Sequence, residues 1–297
     1  MIKNKDSLKA KAKNLAKKYN IDSSYILQTY MFEALLKRIS VSKYSDNLII
    51  KGGFLLSSLF GVDYRTTLDL DTTLKGVPLE KESIEKILNE IINIDVGDNI
   101  KMSIFSIKDI RVEEKYPGFS VHINADFEGV KKHLLIDITT GDVITYREIK
   151  FSYKTIFDES VINIMAYNME TIIAEKFEAV LSKNIENTRM KDYYDLYVFS
   201  TLKWNVVDKV LLKKAIYNTC NKRNSINYLN NSAEYISLVA NDNKIKGLWE
   251  RYQNNYSYAK NITFEDTIDA INKINGLLLE SEWNCVHFSC ILNIYLL

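Results

Sequence analysis

The chain has 297 residues, of which 46% are hydrophobic and 26% charged, with 19 tyrosines and 12 phenylalanines available for a core. This composition is typical of a globular protein and excludes a disordered chain. The formal net charge is only +1, so any surface for nucleic acid must be a local patch. The length favours two domains. Only 2 prolines and 10 glycines are present, which argues against long linkers and for substantial helix.

The first predicted elements are helices. Apolar residues recur at helical spacing in two stripes within residues 6–38, the second of them running over residues 25–36. Five lysines lie on the first predicted helix: Lys9, Lys11, Lys13, Lys17 and Lys18. These lysines form either a solvated helix face or a basic arm that touches RNA.

Short strands and helices alternate after this helical region. Residues 47–51 read as a short buried strand, and Gly52-Gly53 then turns the chain into a helix over residues 54–59. Residues 80–94 form an amphipathic helix with isoleucine and leucine on its buried side. The remaining predicted strands cover residues 69–74, 101–107, 120–127 and 134–139.

Past about residue 155 the pattern becomes helical. Helices are predicted over residues 169–181, 191–200 and 206–217, with weaker helices to residue 279. The simplest fold is therefore α+β, with an α+β domain over residues 1–155 and a helical domain over residues 156–297.

The sequence also bears on the location of the protein. The lysines near the start are not followed by an apolar run, so no signal peptide is expected. No stretch approaches the roughly 20 apolar residues of a membrane helix. Residues 286–297 are apolar but short, and we interpret them as a docked strand or helix, or as a tail that covers core. Cys220, Cys285 and Cys290 have no zinc-type spacing and fit a reducing compartment. We expect a cytoplasmic protein.

The most informative motif is Leu68-Asp69-Leu70-Asp71. In a strand, successive side chains face opposite sides, so Asp69 and Asp71 share one face. Two neighbouring carboxylates repel each other, and a fold keeps such a pair mainly where a cation lies between them. Mg²⁺ prefers oxygen ligands and usually keeps phosphate oxygens in its remaining positions. The motif therefore predicts a metal site that holds a nucleoside triphosphate.

A third acidic residue, Asp137, interrupts an otherwise apolar predicted strand. An unpaired buried carboxylate costs several kcal/mol, so it needs a partner. The partner is either a hydrogen bond at the strand end or a metal shared with Asp69 and Asp71. Three carboxylates on neighbouring strands would suit two-metal phosphoryl transfer.

Two further motifs carry candidate binding residues. Gly52 and Gly53 at a strand-to-helix turn allow backbone N–H groups to approach a phosphate, and the helix N-terminus adds its positive end. In the helical half, Lys176 and Asp192 are opposite charges that either order a nucleotide pocket or form a surface salt bridge.

As a set, these motifs resemble a known family. The run Lys51-Gly52-Gly53-Phe54-Leu55-Leu56, the run from Arg65 to Asp71, the triplet Ala174-Glu175-Lys176 and the run from Arg189 to Leu196 look like the AbiEii nucleotidyltransferase toxins. These are the toxic halves of bicistronic abortive-infection systems, which act in phage defence, and they are similar to the mycobacterial MenT toxins. The resemblance covers roughly residues 25–200.

The resemblance implies a fold and a set of site residues. It implies a DNA-polymerase-β-like nucleotidyltransferase core with a mixed sheet, followed by a helical domain that completes the cleft for nucleotide and RNA. By motif, Asp69 and Asp71 match the catalytic metal-binding pair, and Asp137 fits the third carboxylate. Lys176 matches the catalytic lysine that grips the nucleotide, and Asp192 matches an essential late aspartate, while Asp195 matches a position that we interpret as structural.

Phosphate contacts are less fully specified by the motifs. Many members of the wider superfamily place serine directly after the glycine, whereas here Phe54 follows Gly53. Either Ser57 and Ser58, one turn further on, stand in for that serine, or nothing does. Arg65 and Lys191 are candidates for contacts to phosphate or to the RNA backbone, and surface charge or a salt bridge is the alternative for each.

The resemblance also implies substrates and partners. It implies Mg²⁺ or Mn²⁺ as cofactor and a nucleoside triphosphate as substrate, either GTP or a pyrimidine triphosphate. The leading acceptor is the tRNA 3′ end, whose modification would block charging and stop growth. We expect a monomer and a functional antitoxin that does not bind the toxin tightly. The alternatives are a non-catalytic module that binds GTP or RNA, and transfer of the nucleotide to a protein hydroxyl or a kinase-like transfer of phosphate.

Overall fold

The computed structural model describes residues 2–110 and 118–279. It divides into two compact units, Met1–Asn168 and Met169–Leu297. The first unit contains a seven-stranded mixed sheet in its described part. Its strands are β1 Leu48–Lys51, β2 Asp69–Leu74, β3 Lys101–Ile110, β4 Gly118–Phe127, β5 Val130–Thr139, β6 Ile149–Lys154 and β7 Val161–Ala166.

The strand order is β3-β4-β5-β2-β1-β7-β6. Strand β2 pairs antiparallel with β1 and parallel with β5. Strand β1 also pairs parallel with β7, whereas the β3–β4, β4–β5 and β6–β7 pairs are antiparallel. The two predicted acidic strands, β2 and β5, are therefore direct neighbours in the middle of the sheet.

Four helices accompany the sheet in the described part of the first unit: α1 Lys5–Tyr19, α2 Ser23–Val41, α3 Gly52–Phe60 and α4 Lys81–Ile92. The helical region predicted over residues 6–38 is divided because Asn20 adopts the left-handed conformation, with φ of 52°, and ends α1. The Asp22 side chain then caps α2 by accepting a hydrogen bond from the Ser24 N–H.

The two faces of the sheet differ in chemistry. Leu70, Ile136 and Val121 belong to the face that is buried in the core. The opposite face of the same strands carries Asp71 and Asp137, which are both partly exposed. One face therefore stabilises the fold, and the other remains available for chemistry.

The second unit is helical in its described part. Its helices are α5 Met169–Lys183, α6 Met190–Val198, α7 Lys209–Lys222, α8 Ile226–Asn230, α9 Ser232–Asn241, α10 Asn243–Asn255 and α11 Phe264–Leu279. A short π-helical segment, Phe199–Lys203, continues from α6. With the mixed sheet of the first unit, this arrangement confirms the predicted α+β class.

The sheet extends further along the chain than expected. Strand β7 lies beyond residue 155, where the sequence pattern predicted helix, and it pairs with β1. Strands β6 and β7 were both absent from the predicted elements, and the division between the compact units falls after Asn168.

Some predictions concern residues that the structure does not describe. The apolar segment 286–297, Cys285 and Cys290 lie outside the described residues. Cys220 is described, and its thiol is free and buried. Among the described residues, no helix is long and apolar enough to cross a membrane.

Candidate active site

The centre of the candidate site is a row of acidic residues on the polar face of the sheet. Asp71 and Asp137 are register partners on the parallel strands β2 and β5. Asp69 lies two residues before Asp71 on β2 and therefore on the same face. All three are partly exposed. We call Asp69, Asp71 and Asp137 the carboxylate row.

The Gly52 turn is shaped around one member of this row. Gly52 has φ of +66°, a conformation that side chains rarely adopt. A Cβ atom at Gly52 would also overlap an oxygen of the Asp71 carboxylate. Glycine is therefore required here for two independent reasons, and the absence of a side chain lets the Asp71 carboxylate lie against the backbone of the turn.

The next glycine is packed against the segment that precedes β2. A Cβ atom at Gly53 would lie 2.7 Å from Thr67 Oγ1 and 3.4 Å from Arg65 Nη2. Thr67 Oγ1 in turn donates a hydrogen bond to Asp69 Oδ1. Arg65 is 4% exposed and donates to the Thr66 carbonyl. Arg65 therefore supports the turn from inside the fold.

Helix α3 begins directly at this turn. Lys51 occupies its N-cap position and makes no side-chain hydrogen bond to the first turn. The first backbone N–H groups of a helix carry a partial positive charge and bind anions readily. Ser57 lies one turn further on, but its hydroxyl donates to the Phe54 carbonyl at 2.9 Å. A phosphate contact by that hydroxyl would require this hydrogen bond to break.

A buried polar network, which the sequence analysis missed, adjoins the carboxylate row. Lys51 Nζ donates to Thr139 Oγ1 at 2.8 Å and forms an ion pair with Asp142. Asp142 Oδ2 also accepts hydrogen bonds from Thr73 at 3.0 Å and from the Tyr167 hydroxyl at 3.2 Å. The network fixes the residue that immediately precedes the Gly52 turn. The only sequence signal for Asp142 was its position after a glycine at the end of an acidic strand.

The second unit contains its own buried ion cluster. Lys176 Nζ lies 2.9 Å from Asp192 Oδ1 and 2.7 Å from Asp195 Oδ2. The two aspartate side chains are 3% and 0% exposed, and the lysine is 11% exposed. The predicted pairing of Lys176 with Asp192 is therefore present, but it is a buried interaction that also includes Asp195.

Opposing effects act on the acidity of Asp192. Burial acts to raise its pKa, whereas the positive charges of Lys176 and Arg189 lower it, and the net pKa lies below the usual value. Arg189 Nε is 3.4 Å from Asp192 Oδ2. Lys191 adjoins this cluster on α6 and is partly exposed. The sequence motif thus forms a compact charged cluster within the second unit.

The donor atoms of the carboxylate row determine which metal ion fits there. Among residues 2–110 and 118–279, no three His, Cys, Asp or Glu side chains already converge in a metal-binding arrangement. Mg²⁺, however, usually takes one or two protein carboxylates and completes its shell with phosphate oxygens and water. The partly exposed oxygen donors of Asp69 and Asp71 fit such an ion when it arrives with a triphosphate.

Comparison with known families identifies the class of enzyme to which this arrangement belongs. Residues 34–270 match the family model of the nucleotidyl transferase AbiEii toxin of type IV toxin–antitoxin systems. The match spans most of the chain. The chain belongs to the AbiEii family.

Membership makes the chain a nucleotidyltransferase of a toxin–antitoxin family. Its substrate is accordingly a nucleoside triphosphate, and the family implies an antitoxin partner. This outcome confirms the resemblance and the enzyme class expected from the sequence.

Other comparisons describe similar structures. The protein JHP933 from Helicobacter pylori is 12% identical with a TM-score of 0.49, over 84% of this chain and 89% of that one. MenT4, a nucleotidyltransferase toxin from Mycobacterium tuberculosis, is 11% identical with a TM-score of 0.49, over 86% of this chain and 94% of that one. No curated protein matches the sequence.

Proposed function

We propose that this nucleotidyltransferase transfers a nucleotide from a nucleoside triphosphate to an RNA acceptor, with the tRNA 3′ end as the leading candidate, and that this reaction stops growth during phage infection. The observation that carries the proposal is the pairing of Asp71 with Asp137 beside the Gly52 turn. It combines acidic oxygens with uncapped helix N–H groups, which are the two features that a metal-bound triphosphate needs.

The carboxylate row is assigned to metal binding. Asp69 and Asp71 would hold Mg²⁺ or Mn²⁺ together with the triphosphate, and Asp137 would be the third ligand. Bound there, the metal would lower the pKa of the acceptor hydroxyl and stabilise the leaving pyrophosphate. The hydrogen bond from Thr67 to Asp69 and the contact of Asp71 with the turn keep the two carboxylates in place.

The remaining residues are assigned to the nucleotide. The N–H groups at Gly52 and Gly53 would bind phosphate, with Arg65 supporting the turn. Lys176 and Asp192 are assigned to nucleotide binding because their motifs match the family, and Lys191 to phosphate or RNA. Lys176 forms ion pairs with Asp192 and Asp195 when no nucleotide is bound, so the cluster would stay folded with or without ligand.

The reaction itself asks for little covalent chemistry from the protein. The acceptor hydroxyl oxygen bonds to the α-phosphorus, the bond between the α-phosphorus and the bridging oxygen breaks, and pyrophosphate leaves. The hydroxyl proton passes to a carboxylate of the row or to water. Positioning and charge stabilisation therefore account for most of the rate.

A labelling panel tests this proposal. Purified protein is incubated with each labelled triphosphate, GTP and the pyrimidine triphosphates included, in the presence of Mg²⁺ and total RNA. We expect label in RNA and release of pyrophosphate, both lost in Asp69→Asn. Asp109→Asn is the matched control, since Asp109 is an exposed acid of the same sheet.

Other outcomes would reassign the function. Binding of GTP or RNA without labelled product or pyrophosphate would indicate a non-catalytic module. Label that migrates with protein would indicate transfer to a protein hydroxyl. Equal activity of Asp69→Asn and the wild type would remove the carboxylate row from the mechanism.

We also propose that the toxin is a monomer and that its antitoxin acts without tight binding. Size-exclusion chromatography with light scattering, on the toxin alone and after co-expression with the antitoxin, measures both properties. A stable stoichiometric complex or a toxin dimer would contradict the proposal.

A further inference from the structure

The β4–β5 hairpin projects past the carboxylate row. Strand β2 begins at Asp69, which pairs with Leu135, whereas β5 already begins at Val130. At the usual rise per residue, β5 therefore extends about 17 Å beyond the start of β2. Strand β3 accompanies the hairpin over this length, from the pairing of Lys101 with Asp126 onwards.

The polar face of these three strands is continuous with the carboxylate row. Register partners share a face, so Asp137 lies in one row with Ser120 and Lys108. The rows further along the hairpin carry, on the same face, the partners Leu135, His122 and Ser106, then His133, Asn124 and Ser103, then Lys131, Asp126 and Lys101. We call this surface the hairpin face.

The aromatic rings on the hairpin face are exposed and do not contribute to the core. Phe105 is 68% exposed at a register shift of β3, and its ring stands edge-on to His133 with the centroids 5.8 Å apart. His122 Nδ1 and His133 Nε2 are 2.7 Å apart. Exposed aromatic rings among polar and basic side chains are typical of surfaces that stack the bases of single-stranded nucleic acid.

The part of the hairpin face nearest the turn is concave. Lys101, Ser103, Asn124, Lys131 and His133 are among the residues that line an open groove of about 560 Å³. This groove offers amide, hydroxyl and ammonium groups next to the rings, so it can bind base edges and phosphates together.

Helix α1 adds a row of positive charge at the same hairpin. Its lysines at i, i+4 spacing are all exposed: Lys5, Lys9, Lys13 and Lys17. Like charges at this spacing destabilise a helix by about 0.2–0.5 kcal/mol per pair, so the row is unfavourable unless an anion lies along it. The family model begins at residue 34, so this row is a feature of the chain beyond the family match.

The starts of α1 and of α2 are tied to the turn end of the hairpin. The Lys5 N–H donates to Glu128 Oε2 at 2.9 Å, in the β4–β5 turn. Beyond the other end of α1, Ser24 accepts a hydrogen bond from Lys132 of β5. Lys132 alternates with Lys131 and His133 and therefore faces away from the hairpin face. The lysine row thus begins beside the β4–β5 turn, on the other side of the hairpin from the hairpin face.

The anionic partner of the lysine row is not a membrane surface, because the opposite side of α1 is buried. Leu8, Ala12 and Ala16 are buried in the fold, and α1 packs on α2. No apolar stripe of α1 is left to enter a lipid surface, which an amphipathic membrane helix requires. A polyphosphate chain needs only the exposed charges.

We propose that the hairpin face and the lysine row of α1 form the binding surface for the single-stranded end of an RNA acceptor. Bases stack on Phe105 and His133, the backbone passes the β4–β5 turn to reach the lysines, and the end of the strand points along β5 to Asp137. The assignment of this RNA as acceptor rests on the proposed function, but its binding requires neither triphosphate nor turnover.

Fluorescence anisotropy of the full chain with a labelled single-stranded RNA of about 12 nucleotides tests the surface. We expect Phe105→Leu, which keeps an apolar side chain but removes the ring, to weaken binding about 10-fold. Phe105→Trp keeps a ring and should bind within about 2-fold of the wild type. Melting curves of both variants establish that the fold is retained.

The lysine row is tested by a matched pair of triple variants. At about 0.1 M salt each phosphate contact contributes about 0.7 log unit to the affinity for a single strand. Lys9→Gln, Lys13→Gln and Lys17→Gln together should therefore weaken binding about 100-fold. Three exposed lysines on other elements of the first unit provide the control with the same change of charge: Lys86, Lys150 and Lys154.

Several results would overturn the proposal. They are absence of RNA binding, equal binding by Phe105→Leu and the wild type, equal effects of the two triple variants, and preference for a blunt RNA duplex. Asp69→Asn separates this proposal from the proposed function, since it should bind RNA normally. RNA binding without nucleotide transfer would end the proposed function alone, whereas transfer unaffected by the Phe105 and lysine variants would end this surface alone.

Discussion

The Asp71 carboxylate lies in the space that a side chain on Gly52 would occupy. Gly52 directly follows strand β1, and Asp71 lies on strand β2. These strands are antiparallel neighbours, and Lys51 is the register partner of Asp71. The turn that would hold the triphosphate and the strand that would hold the metal are therefore fitted to each other directly.

The first prediction concerns this contact. Gly52→Ala should abolish nucleotidyl transfer, because the new methyl group displaces the Asp71 carboxylate. It should also destabilise the fold by at least about 1–2 kcal/mol because of the left-handed conformation. Activity and urea denaturation of the variant measure the two effects.

Gly97 supplies the control for this prediction. It also has positive φ, +70°, but no atom lies within 4 Å of the position of a Cβ. Gly97→Ala should show the backbone cost alone and keep full activity. An inactive Gly97→Ala or an active Gly52→Ala would separate activity from the Asp71 contact.

The second prediction concerns the Lys51 network. Lys51→Met leaves the Asp142 carboxylate buried without its cation, which typically costs about 3–5 kcal/mol. Because Lys51 precedes the Gly52 turn, the loss of stability should be accompanied by a loss of triphosphate affinity. Denaturant midpoints and equilibrium binding of a non-hydrolysable triphosphate are the measurements.

An exposed ion pair in the same unit is the matched control. Lys75 Nζ is 2.7 Å from Glu148 Oε1, but the lysine is 56% exposed. Lys75→Met should therefore change the free energy of unfolding by less than about 1 kcal/mol. Similar effects of the Lys51 and Lys75 variants would show that the network contributes no special stability.

The third prediction concerns the ion cluster of the second unit. Lys176→Met would leave two buried carboxylates and should cost about 3–5 kcal/mol. Lys244→Met, which removes an exposed pair with Glu186, should cost little.

The same cluster makes stability depend on pH. Because the pKa of Asp192 is lowered in the folded state, the contribution of Asp192 to stability is present above its ordinary pKa and is lost as the pH falls through the folded pKa.

Acid denaturation checks the sign of this effect. Asp192→Asn should lower stability at pH 7 and flatten the decline of stability with falling pH. If Asp192→Asn declines with acid as steeply as the wild type, the lowered pKa of Asp192 makes no contribution.

The fourth prediction concerns Glu33 of α2, which is 3% exposed. Its Oε1 accepts hydrogen bonds from the Tyr153 hydroxyl at 2.9 Å and from the Ile156 N–H at 2.6 Å. Burial raises the pKa of Glu33 to about 8. The folded state therefore keeps a proton that the unfolded state releases near pH 4.5, and stability falls as the pH rises between these values.

Glu33→Gln should remove this dependence, because a neutral amide keeps the acceptor oxygen. We expect an unchanged melting temperature near pH 4 and a higher one than the wild type at pH 8.5, by the equivalent of about 3–5 kcal/mol. If the melting temperatures of the two proteins changed with pH in the same way across this range, the raised pKa of Glu33 would be contradicted.

Strand β4 was predictable because apolar residues alternate with polar ones along residues 121–127. The Asp69–Leu74 strand was predicted with the same bounds that it has in the structure, since apolar and acidic residues alternate through its start. Strands β6 and β7 were missed although each has six residues, the same length as β2. Their place in the sheet depends on the pairing of β7 with β1, which no local pattern encodes.

The site was predictable only in part for the same reason. The carboxylate row follows from strand periodicity, and the clustering of Lys176 with Asp192 follows from the family motif. The Lys51–Asp142 pair joins residues that are distant in sequence and carry no motif together. The hydrogen bond of Ser57 inside α3 likewise depends on the rotamer that its buried position imposes.

On the proposed mechanism, the parallel pairing of β2 with β5 determines when the toxin can become active during its synthesis. During synthesis, Asp71 emerges long before Asp137, and α4, β3 and β4 lie between them in the chain. Asp71 and Asp137 cannot become neighbours until strands β3, β4 and β5 have folded back against β2. A ribosome that stalls ahead of β5, or a protease that cuts there, should release a fragment that is innocuous to its host.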